Sequence, residues 1–100
     1  MNSIPELIGF FSAIKEDSRI GPVHISLFMA IMQHWTYNDC KNPVYIFSKD
    51  LMRLAKISGV ATYHKCIREL DEYGYIKYKP TYNHFSKSLI YLQAPVKPID

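Results

Sequence analysis

The sequence predicts a mainly helical α+β domain that ends in a β-hairpin, and three observations carry that expectation. Apolar residues recur at intervals of three and four as far as Tyr73, the period of helices with one buried face. Past Gly74 the pattern changes to alternation, the period of half-buried strands. Clusters of Gly, Pro, Asn and Asp cut the helical part into segments, because these residues favour non-helical backbone. A length of 100 residues fits about one small domain, and 48% apolar with 21% charged residues provides a core and excludes wholesale disorder.

Ser3-Ile4-Pro5-Glu6 has the form of a capping box, so a first helix starts there. Ile4, Leu7, Ile8, Phe11 and Ile14 make its apolar face, and Lys15-Glu16-Asp17-Ser18 closes the pattern. Ile20-Gly21-Pro22 breaks the chain. A second helix runs from about Val23 to Tyr37, with Val23, Leu27, Ile31 and Trp35 on one stripe and Phe28 and Met32 beside it. So wide an apolar surface marks the central helix. Asn38 to Pro43 is a turn, and Val44-Tyr45-Ile46-Phe47 a short strand. Ser48 is the expected N-cap of a helix over 49–56 that turns Leu51, Leu54 and Ala55 inward. Ser58 is the expected N-cap of a helix over 59–73 that buries Tyr63, Ile67 and Leu70 and ends at Gly74, a residue without a Cβ penalty in the left-handed region. Strands follow over 75–80 and 88–92, joined by a long polar and aromatic tip from Thr81 to Lys87. The organisation is therefore an added amphipathic helix over 1–19, a main domain over 20–93 and a proline-broken tail over 94–100.

The formal charge of +3 is unevenly spread: residues 1–40 sum to −2 and residues 41–100 to +5. That bias permits an anionic partner for the second half. The N-terminus has no basic leader segment and no apolar run reaches the roughly 18–20 residues of a membrane span, so a cytoplasmic protein without membrane contact is expected. Cys40 and Cys66 stand alone, and His24, His34, His64 and His84 are dispersed, so no metal or cofactor is expected and a metal site could arise only by tertiary approach. His24 and His34, in a mostly apolar helix, are expected as hydrogen-bonded core residues, and Cys66 as a small apolar one. No nucleophile–base order, glycine-rich phosphate loop or close pair of carboxylates is present, so an enzyme is not expected and no catalytic residue is assigned.

The element order, and most specifically Leu51-Met52-Arg53-Leu54-Ala55-Lys56-Ile57-Ser58 followed by Ala61-Thr62-Tyr63-His64-Lys65-Cys66-Ile67-Arg68-Glu69-Leu70-Asp71-Glu72-Tyr73-Gly74-Tyr75-Ile76, resembles the winged helix-turn-helix family. Leu70, Gly74 and Ile76 look like that family's Leu-x-x-x-Gly-x-Ile closure, and the resemblance covers roughly residues 22–93. The Ala61–Leu70 run and the Tyr-Ile-Lys-Tyr-x-Pro-x-Tyr segment from Tyr75 are similar to small winged-helix proteins of bacterial mobile elements, notably in Bacteroides-type genomes. The resemblance implies binding of double-stranded DNA, with the helix over 59–73 in the major groove and the hairpin, the wing, on backbone or minor groove.

The residues themselves give a compatible reading. With Tyr63, Ile67 and Leu70 in the core, Thr62, His64, Lys65, Arg68, Glu69 and Glu72 point outward, the basic ones toward the start of the helix. Lys65 and Arg68 share one face, and Arg68 suits a guanine edge or a phosphate. Ser58, Gly59 and Thr62 offer amides and a hydroxyl to a phosphate at the helix start. Lys49, Arg53 and Lys56 are candidate backbone clamps, and Lys77, Lys79, Tyr82, Asn83, His84 and Lys87 candidate wing contacts. The competing reading makes these lysines a soluble sheet edge and pairs Lys65 or Arg68 with Glu69 or Glu72. Ile4, Leu7, Phe10, Phe11 and Ile14 exceed what a small domain covers, which points to a homodimer through the first helix; packing on its own domain is the alternative. A transcription regulator, an excision or replication accessory of a mobile element, and a protein-binding winged helix all fit such a module.

Overall fold

A computed structural model of the chain describes residues 4–80 and 88–92. These described residues form four helices and one three-stranded antiparallel sheet: α1 (Ile4–Ile14), α2 (Pro22–Tyr37), β1 (Val44–Ile46), α3 (Ser48–Ala55), α4 (Val60–Glu72), β2 (Ile76–Lys79) and β3 (Ser88–Leu92). The chain is thus mainly helical α+β, as the change of period predicts. Among the described residues no helix is long and apolar enough to cross a membrane.

The strands run in the order β1-β3-β2, so the final strand sits between the other two. Val44 and Tyr78 both pair with Ile90, and Ile76 pairs with Leu92. Alternation then sends Val44, Ile46, Ile76, Ile90 and Leu92 into the core, while Lys77 and Lys79 stay exposed. Asn42, a turn residue by composition, has a second task. Its side-chain amide donates to the Leu92 carbonyl at 2.9 Å and accepts from the Leu92 N–H at 3.0 Å, extending the ladder by one side chain.

The core gathers around α2, where Leu27, Phe28, Ile31, Met32 and Trp35 are buried against α3, α4 and the sheet. Val23, assigned to that stripe, is instead exposed, because the buried position of the first turn is taken by His24. The α1 face is also turned from the sequence expectation. Among its described side chains Phe10 and Ala13 are buried, whereas Ile8 and Phe11 are 59% and 40% exposed. The cause is one aromatic stack: Phe10 lies on Phe28 with centroids 3.8 Å apart and meets the edge of Tyr75 at 5.4 Å. Phe10 is therefore a core residue and not part of a free surface. The expected Ser3 cap and the Ile4 side chain lie outside the described residues.

Both serine caps shift by one residue. Phe47 accepts the first helical bonds of α3, from Asp50 and Leu51, which puts Ser48 in the first turn. Gly59 accepts from Tyr63 at 3.0 Å, so it caps α4 in place of Ser58. Lys56 ends α3 in the left-handed region at φ 62°, and the Ile57 N–H closes back on Met52 at 2.9 Å. That tight closure buries Ile57 but leaves Leu54, expected inward, 42% exposed. Phe47 also falls outside β1 and is partly exposed. Gly74 ends α4 as expected, at φ 89°.

Candidate nucleic-acid interface

Two contacts fix α4 to the body. Ser26 of α2 donates to the Ala55 carbonyl at the end of α3, which sets the helix before the turn. At the other end Tyr75 is anchored: its hydroxyl donates to buried Asp17 at 2.7 Å, and Arg19 donates to the same carboxylate from Nε at 2.7 Å and Nη2 at 2.8 Å. The Arg19 guanidinium holds the Asp17 carboxyl well below the usual carboxylate range, against the opposing effect of burial. It also lies over the Tyr73 ring, 4.0 Å from its centroid. The α1–α2 connection is thereby latched to the C-terminal end of α4.

With Tyr63, Cys66, Ile67 and Leu70 buried, α4 turns Val60, Ala61, Thr62, Lys65, Arg68 and Glu72 to solvent. His64 is half-buried, its ring edge-on to Tyr63 with centroids 5.3 Å apart, and it borders two depressions. One, of about 410 Å³, lies between α3 and α4 and is lined by Ser48, Lys49, Met52, Arg53, Ile57, Val60, Tyr63 and His64. The other, also about 410 Å³, runs along α4 past Ala61, Lys65, Arg68, Glu69 and Glu72. Lys49 and Arg53 are exposed where they line the first depression, Lys56 and Ser58 are exposed in the α3–α4 turn, and Lys77 and Lys79 are exposed on β2. Lys79 lies over the Tyr91 ring at 5.6 Å. Tyr82, Asn83, His84 and Lys87 lie outside the described residues.

The ion pairs differ from the competing sequence reading. Glu69, expected outward, is half-buried and directed at His24 of α2, with Nε2 to Oε1 at 2.8 Å. This contact lowers the Glu69 carboxyl below its ordinary value. Among the described residues neither Lys65 nor Arg68 forms an ion pair; Arg53 alone of the proposed clamps does, loosely, with Asp50 at 3.6 Å. The cationic side chains of α4 are thus left to solvent.

His24 is a satisfied core histidine, as expected. Its Nδ1 accepts from the Gly21 N–H at 3.0 Å, capping α2, which leaves the ring proton on Nε2 for Glu69. His34 is not in the core: it is half-buried and borders a recess of about 240 Å³ with Tyr37, Asn38, Val44 and Tyr45. Cys66 is buried beside His24 and Glu69, and burial pushes its thiol up. This His24–Cys66–Glu69 grouping has no local sequence signal, since α2 and α4 meet only in the fold. No protein-family model, curated protein or solved structure matches the chain.

Proposed function

We propose that this chain is a sequence-specific double-stranded DNA-binding protein of winged helix-turn-helix type, acting in the cytoplasm as a transcription regulator. The observation that carries the proposal is the outer face of α4, where Lys65 and Arg68 stand exposed and outside any described ion pair on a helix held by a buried opposite face. A helix so mounted is rigid enough to enter a major groove about 12 Å wide. Exposed Val60 and Ala61 on its first turn supply apolar surface suited to a thymine methyl group. Lys49, Arg53 and Lys56 flank it as backbone contacts, and the β2–β3 hairpin brings Lys77 and Lys79 as the wing. Exposed Ile8 and Phe11 on α1 support a homodimer, the arrangement that would present two α4 helices to a two-fold site.

The test is selection from a random duplex library followed by affinity measurements on the selected site and on scrambled DNA. Arg68→Ala is expected to weaken binding to the selected site by about 1–3 kcal/mol and to relax specificity, whereas Lys87→Ala weakens all sequences alike. Equal loss across sequences for Arg68→Ala makes it a backbone contact. Bending of the bound duplex favours the accessory role on a mobile element over simple regulation, and partner binding insensitive to salt favours a protein-interaction module.

A further inference from the structure

At the seam between α2 and α4 the imidazole of His24, the thiol of Cys66 and the carboxylate of Glu69 each bring one ligand atom to within 4.8 Å of the others. We propose that these three side chains form a binding site for a borderline divalent transition-metal ion of the zinc type, which clamps α2 to α4. The inference does not depend on DNA binding.

The donor set is one nitrogen, one sulfur and one oxygen, a combination that suits zinc with water as fourth ligand and does not suit calcium or magnesium, which take oxygen ligands. In a tetrahedral zinc site, bonds of about 2.0–2.3 Å place donors roughly 3.3–3.8 Å apart, so these atoms need a contraction of about 1 Å or a little more. His24 Nε2 and Glu69 Oε1, now hydrogen-bonded at 2.8 Å, need to part by only about 0.5 Å to admit the ion between them. Cys66 and Glu69 are three residues apart on one face of α4, so a single helix presents both. His24 and Cys66 are buried, and Glu69 is half-buried and borders the depression along α4. Binding through Nε2 moves the ring proton to Nδ1 and opens the Gly21 contact, and the thiol releases its proton. Two hydrogen bonds, that from the Gly21 N–H and the charge-assisted one to Glu69, are exchanged for three coordinate bonds.

The experiment is a Co(II) titration of the full chain carrying Cys40→Asn. That substitution removes the other thiol at a left-handed φ of 57°, which asparagine tolerates. The expected result is a near-ultraviolet thiolate-to-cobalt band that saturates at one equivalent, with strong four-coordinate visible absorption, both displaced by zinc. His24→Gln and Glu69→Gln are each expected to weaken binding by about tenfold or more, the range seen even for supporting residues of metal sites. A folded protein with no such band at several equivalents of Co(II), or titrations unchanged in both variants, overturns the proposal. Should Cys40→Asn not fold, the unsubstituted chain decides: one equivalent of zinc raises its melting temperature, and an unchanged melting temperature overturns the proposal.

Discussion

Asp17→Ala probes the latch that ties the α1–α2 connection to the end of α4. The carboxylate accepts from the Tyr75 hydroxyl at 2.7 Å, from two nitrogens of the Arg19 guanidinium at 2.7 and 2.8 Å, and from the Arg19 N–H at 3.1 Å. Arg19 is half-exposed and returns to water when its partner goes, so its share is small. Tyr75 is buried, and a buried hydroxyl without an acceptor costs about 1–3 kcal/mol. The expected loss is therefore about 2 kcal/mol, or roughly 10 °C in melting temperature for a domain of this size. Tyr75→Phe removes donor and penalty together and is expected to cost about 1 kcal/mol. Urea denaturation of both single variants and the double variant should give a coupling of about 1 kcal/mol. The latch also fixes a pH dependence. Arg19 lowers the Asp17 carboxyl below its ordinary 3.8, so the contribution is complete above that pH and fades as pH falls below it. The gap between wild type and Asp17→Ala should narrow there. A loss for Asp17→Ala below about 0.5 kcal/mol, or full additivity with Tyr75→Phe, refutes the latch.

Phe10→Ala opens a cavity against Phe28 and Tyr75, and about 3–5 kcal/mol of stability should disappear in a denaturant titration. The Ile8→Ser/Phe11→Ser pair alters exposed positions, so folding should survive within about 1 kcal/mol while the mass by light scattering falls to that of a monomer. An unchanged mass counts against the α1 dimer. Asn42→Ala breaks both side-chain bonds to Leu92, and thermal melting should report a loss of about 1–2 kcal/mol. Wild-type stability in that variant would mean that water replaces the asparagine at no cost.

The parts of the fold legible in the sequence were those governed by local rules. Alternation after Gly74 located both strands, and the glycine itself marked the end of α4 because only its backbone takes φ 89° without strain. Tyr63, Ile67 and Leu70 declared the buried face of α4, and the exposure of Lys65 and Arg68 followed from it. What local rules missed was decided by tertiary contacts. Helical spacing puts Phe11 on the apolar face of α1 with Leu7, Ile8 and Ile14, and the Phe28 ring chose its neighbour Phe10. Ser48 and Ser58 have the right chemistry for caps, yet the first helical bonds go to Phe47 for α3 and to Gly59 for α4, one residue before the first serine and one after the second. Glu69 reads as a solvated surface acid until α2 brings His24 to 2.8 Å from it. The pairing of Asn42 with Leu92 spans 50 residues and leaves no trace in composition.

The most direct measurement is equilibrium binding of the purified chain to its selected duplex at 50 and 200 mM salt, beside the folded Lys65→Ala/Arg68→Ala variant. If about four of the exposed cations neutralise phosphates, affinity should fall on the order of a hundredfold across that range, and the double variant should lose the preference for the selected site. Weak binding that is indifferent to salt and sequence in the folded wild type, or a double variant that binds as the wild type does, would contradict the assignment of α4 as the reading helix.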